Sequence, residues 1–118
     1  MANPNRGQVA LKAGDRDYML SYSVNSLCEL EEELELPIAS IVTTMQTPDK
    51  LRMKFVRALV WAGLQDHHDD VSIKDAGLII GDAGFQPSME AVRKAFKLAF
   101  PEAPKGEKAP KNPPKAEA

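Results

Sequence analysis

The sequence predicts an α+β fold, mainly α, with an N-terminal β-hairpin packed on a small bundle of about four to five helices. Three observations carry that prediction. Apolar and polar residues alternate with a period of two on both sides of Gly14-Asp15. From Val24 to Phe100 the apolar residues recur at spacings of three and four, punctuated by Pro and Gly. Beyond Phe100 no Val, Ile, Leu, Met or aromatic residue occurs. The 118 residues therefore divide into a flexible leader (1–5), one hairpin-plus-helical domain (6–100) and a Pro/Lys C-terminal tail (101–118).

Val9, Leu11 and Ala13 alternate with Gln8, Ala10 and Lys12 before the turn; Tyr18, Leu20 and Tyr22 alternate with Asp17, Met19 and Ser21 after it. A short Gly turn between two such runs is a hairpin signal. A lone hairpin is marginal in water, so this one needs a helical face to rest on. Asn25 can cap a first helix whose Leu27, Leu30 and Leu34 share a face, with Glu29, Glu32 and Glu33 opposite. Pro37 ends that helix and opens a short second one, Ile38 to Met45. Thr47-Pro48-Asp49 reads as a helix start: a capping hydroxyl, Pro in the first turn and an acid near the N-terminus, with the helix running to about Leu64. Ser72 and Asp75 have capping-box spacing and open a helix from Ile73 to about Asp82, with Gly84 beyond it. Pro87 or Ser88 opens the last helix, whose apolar stripe is Met89, Val92, Phe96, Ala99 and Phe100, and Pro101 stops it.

The tail holds five of the nine prolines, four Lys and three Glu. Without apolar surface to bury, it cannot offset its ordering entropy, and its composition predicts disorder. Composition also excludes classes of function. The net charge of −2 lacks the basic excess of a protein that lives on phosphate backbones. No apolar run approaches the roughly 18 to 20 residues that span a bilayer, and residues 1–12 hold no apolar stretch of a secretory signal. A single cysteine, Cys28, forbids an intramolecular disulfide and a Cys-rich zinc site. Its place beside Leu27 predicts a packed thiol. The expectation is a small soluble cytoplasmic domain that binds neither nucleic acid nor membrane.

Two constellations bear on chemistry. His67, His68, Asp69 and Asp70 are proper metal-ligand types. Four adjacent loop residues rarely converge on one ion, and these are the only histidines, so a polar loop after a helix C-terminus accounts for them. The acidic run at Glu29, Glu31, Glu32, Glu33 and Glu35 reads as a solvated helix face. Gly77, Gly81 and Gly84 do not have phosphate-loop spacing. No enzyme signature stands out, and no cofactor is expected. Lys50, Lys54, Arg57 and Trp61 fall at i, i+4, i+7 and i+11 of the Pro48 helix, which gives either a solvated basic face with Trp61 turned into the core, a face that answers Glu29 and Glu33 inside the domain, or an aromatic anchor with basic flanks suited to a protein partner. Met53, Met89, Phe96 and Phe100 would supply apolar contacts to a partner helix.

The order of features carries a resemblance. A hairpin from Gly7 to Leu20 precedes the phrase Ser26-Leu27-Cys28-Glu29-Leu30-Glu31; then come Ala58-Leu59-Val60-Trp61-Ala62-Gly63-Leu64, the segment Val71 to Ile80, and a helix ending Phe96-Lys97-Leu98-Ala99-Phe100. Over residues 6–100 this resembles the small tail-assembly-chaperone family of long-tailed bacteriophages, in the branch shared with gene transfer agents, where some members are labelled tail tube proteins. The resemblance implies a non-enzymatic helper of tail morphogenesis that binds the tape measure protein, keeps it soluble and helps recruit tail tube subunits, with self-association as a further contact. It implies action in the cytoplasm of the bacterial host, absence from the finished particle, and in many phages a frameshifted longer form. The alternative is a structural minor component of the phage or gene-transfer-agent tail.

Overall fold

A computed structural model of the chain describes residue 3 and residues 6–100. The expected leader (1–5) falls largely, and the tail (101–118) wholly, outside the described residues. Strands β1 (Val9–Ala13) and β2 (Arg16–Leu20) form an antiparallel pair in the register Val9↔Leu20 to Ala13↔Arg16. Five α-helices follow: α1 (Val24–Leu34), α2 (Ile38–Met45), α3 (Met53–Leu64), α4 (Ile73–Ala83) and α5 (Phe85–Ala99). The fold is thus the hairpin on a small helical bundle that the sequence predicts.

The two-residue turn turns on Gly14, whose φ of 62° fits the first central position of a type II′ turn. Period two then places Leu11, Ala13 and Leu20 against the helices while Ala10, Lys12 and Asp17 face water. The helices the hairpin rests on are α3, α4 and α5. Helix α3 is the hub: eight of its twelve residues are buried, which is what an element packed on several sides requires. It touches α1, α4, α5 and β2. Leu20, Leu30, Ile41, Leu59, Leu64, Met89 and Val92 are fully enclosed. Burying each such side chain stabilises the fold by about 1.5–3 kcal/mol.

Three helix starts differ from expectation, each for a visible reason. Helix α1 is capped by Ser23, not Asn25: Ser23 Oγ accepts the Ser26 N–H at 3.1 Å. Thr47 does not cap the helix after Pro48. Its hydroxyl donates back to the Thr43 carbonyl at 2.9 Å and completes the end of α2. Pro48–Lys50 then makes one turn of 3-10 helix, and Leu51 returns to extended backbone so that its side chain packs on the core. Helix α3 therefore begins at Met53, five residues later than the Pro48 signal suggests. Helix α5 begins at Phe85, ahead of Pro87. Pro87 sits in the first turn, where a missing N–H costs no intrahelical bond. Gly84, at φ 100°, serves as both the end of α4 and the start of α5.

Two other starts match. The Ser72/Asp75 capping box is complete, with both reciprocal bonds at 3.0 Å. Helix α2 has the predicted bounds, Ile38 to Met45. Its cap comes from elsewhere: Glu31 Oε2 accepts the Ile38 N–H at 2.8 Å. Glu31 is therefore not part of the solvated acidic face, because its carboxylate occupies the positive end of the next helix. Cys28 also departs from expectation and is exposed.

Candidate functional site

Helix α2 is apolar on more than one side. Ile41 and Met45 point into the core, while Ile38 and Val42 are only half-buried. They face the C-terminal half of α5, where Phe96 is buried at the edge of the core and Phe100 continues the apolar stripe half-buried. Between the two helices lies a groove of about 500 Å³, floored by Ile38, Val42, Met45, Phe96 and Phe100. Ala39 and Gln46 line one side and Arg93 and Lys97 the other. Arg93 and Lys97 are exposed and one helical turn apart, so the groove is an apolar trough with a basic rim. The rings of Phe96 and Phe100 lie 5.9 Å apart at 38°, and Phe96 in turn stacks obliquely on Tyr22 at 4.4 Å. The floor is thus fixed to the hairpin side of the core rather than free to collapse. An apolar trough between two helices suits the apolar face of a third.

The residues that the sequence nominates for partner binding do not form one surface. Phe96 and Phe100 belong to the groove. Met89 is fully enclosed, and Trp61 is half-buried against the core. Lys50 stands on the 3-10 turn, so it is off the helix that carries Lys54, Arg57 and Trp61, and the single basic stripe is broken. Met53, Lys54 and Arg57 line a second, smaller cleft of about 220 Å³ with Gly77 and Ile80, between α3 and α4. Gly77 leaves room there: a Cβ would come within 3.3 Å of Arg57 Cδ. Arg57 Nε is buried without a hydrogen-bond partner among the described residues.

The His-Asp loop has structural work. Asp66 accepts hydroxyl bonds from Ser21 at 3.2 Å and Ser23 at 2.9 Å. His67 Nε2 lies 3.2 Å from Ser21 Oγ, and His68 Nε2 accepts the Met19 N–H at 3.1 Å. His68 also meets the Tyr18 ring edge-on at 5.2 Å. Burial holds the His68 imidazole below its ordinary pKa; neighbouring His67 and Arg16 add to that and Asp70 opposes it. Asp69 and Asp70 are exposed. Among the described residues no group of three or more His, Cys, Asp or Glu gathers around a common metal position. Asp66, His67 and His68 thus clasp the hairpin end to the end of α3, and Asp69 and Asp70 take no part in it.

Sequence reasoning missed Ile38, Val42, Arg93 and Lys97. The signal was present: α2 (IASIVTTM) has more apolar positions than one core-facing stripe can use.

No helix among the described residues is long and apolar enough to cross a membrane. Residues 6–100 match the family model described as "Phage tail tube protein, GTA-gp10". No match was found among the curated proteins or among the solved structures.

Proposed function

The chain belongs to the phage tail tube protein family, GTA-gp10, and from that premise we propose that it is a structural, non-enzymatic component of a phage or gene-transfer-agent tail that meets its neighbours through the α2–α5 groove. The observation that carries this reading is the groove itself. Ile38, Val42 and Phe100 leave part of an apolar floor in water, which is costly, and a basic-rimmed apolar trough on a small domain is a form an interface takes. The family describes a tail part, and such parts work by binding rather than by catalysis.

Quantitative mass spectrometry of purified particles tests this reading. A tail component is present in a fixed ratio to the other tail proteins. Its absence from particles whose producing cells contain it would contradict the structural role.

One observation favours a second reading. The described residues contain a single two-stranded sheet, whereas the wall of a tube built from strands needs far more paired edge. A mainly helical domain with an apolar trough between two helices also suits a chaperone that holds the helical tape measure protein in the host cytoplasm until tube subunits assemble round it. This chaperone would raise the soluble yield of the tape measure protein on co-expression and leave the finished particle.

A further inference from the structure

The groove identifies a docking surface without naming what occupies it. Resting on the reading of this chain as a tail component, we propose that the occupant is α1 of a second copy, docked by the stripe Val24–Cys28–Glu32. These residues stand at i, i+4 and i+8 and so share one face of the helix. All three are exposed; Val24, at 76 %, is the most exposed large apolar residue among those described. The stripe is apolar at its N-terminal end and acidic at the other, with exposed Glu29 beside it. Helix α1 contains no basic residue.

The groove offers the complement: an apolar floor and, on one rim, Arg93 and Lys97. Within the described residues none of Glu29, Glu32, Arg93 and Lys97 is paired inside its own domain. Two alternatives within the same chain fit worse. A two-fold pairing of grooves would bring Arg93 and Lys97 against like charges. Residues 101–118 contain no large apolar side chain to lie on the floor.

Groove and α1 are different patches, so the contact is heterologous. A bound pair keeps one free groove on one copy and one free α1 on the other, and repetition closes into a ring or runs on as a helical array. That is a geometry a tail can use.

The test uses the purified full chain across a concentration series, with sedimentation for mass and thiol labelling of Cys28 for occlusion. Cys28 is the only cysteine, so the label reports α1 alone. The expected result is a mass above the monomer and Cys28 labelling roughly fourfold slower at a total concentration about ten times the dissociation constant. Arg93→Glu with Lys97→Glu, and separately Glu29→Lys with Glu32→Lys, should each give a folded monomer whose labelling rate ignores concentration. An equimolar mixture of the two variants should associate again, since it restores opposite charges across the contact. Wild-type protein whose mass and labelling never change with concentration would overturn the proposal. So would double variants that associate like the wild type, or a mixture that stays monomeric. None of these failures touches the tail-component reading, which stands or falls on particle content.

Discussion

The two ends of this small domain are finished in opposite ways. At the hairpin end the chain is closed by specific polar bonds. Tyr22 donates its hydroxyl to the Leu59 carbonyl at 2.6 Å inside the core, where burial raises its pKa well above the ordinary tyrosine range. The Ser21 N–H donates to the Gly63 carbonyl at 3.0 Å, and Asp66, His67 and His68 fasten the outside. At the α2–α5 end no such clasp exists between the two helices among the described residues, and apolar side chains are left half covered. The closed end spends its polar groups on holding the fold; the open end keeps its surface available. The difference separates residues whose loss should unfold the protein from residues whose loss should leave it folded and idle.

Substitutions at the closed end test the first half of that statement. Leu20, the last residue of β2, is fully enclosed against α3, so Leu20→Ala should destabilise by about 2–5 kcal/mol in denaturant unfolding. Gly63→Ala should cost about 1–3 kcal/mol, because a Cβ there would come within 2.6 Å of Leu20 Cδ2 and 3.0 Å of Tyr22 Oη. Its loss should shrink if Leu20 is also shortened, since the two share the same space.

The smallest expected effect at this end is one of pH. The folded state lowers the His68 pKa below its ordinary value of 6.5, because burial and its acceptor bond to Met19 both favour the neutral ring. The unfolded chain therefore takes up the proton first. The contribution is fully present above pH 6.5 and is lost as pH falls through the depressed folded value. Thermal melts between pH 7.5 and 5 should show a falling Tm that flattens in His68→Asn. An identical slope in the variant would remove His68 from the clasp.

The sequence makes the closed end legible and the open end nearly invisible. Alternation around Gly14 sets the hairpin, and the Ser72/Asp75 box sets the start of α4, because both signals are local and no distant contact competes with them. The Pro48 signal is equally local yet misplaces α3. Thr47 finds a better acceptor in the preceding helix, and Leu51 gains more from burial than from one more helical turn. That error also joins Lys50 to Lys54 and Arg57 on one helix, where the structure sets Lys50 apart on the 3-10 turn. The groove depends on how α2 settles against α5, which is a tertiary fact. Only the surplus of apolar residues on α2 and the Phe96/Phe100 pair hint at it. The histidines read in sequence as a polar loop, and the letters carry no sign that His67 and His68 bond to Ser21 and Met19 at the hairpin end.

The most direct test of the open end is to fill it without disturbing the fold. Ala39 is exposed and lines the groove, so Ala39→Arg should leave the melting temperature of the purified protein unchanged while placing a bulky charge over the floor. Complete tails should then be counted in cells whose only copy carries Ala39→Arg. The account predicts a folded protein and a sharp loss of complete tails. A folded Ala39→Arg protein that supports a normal number of tails would contradict the claim that the groove is the working surface.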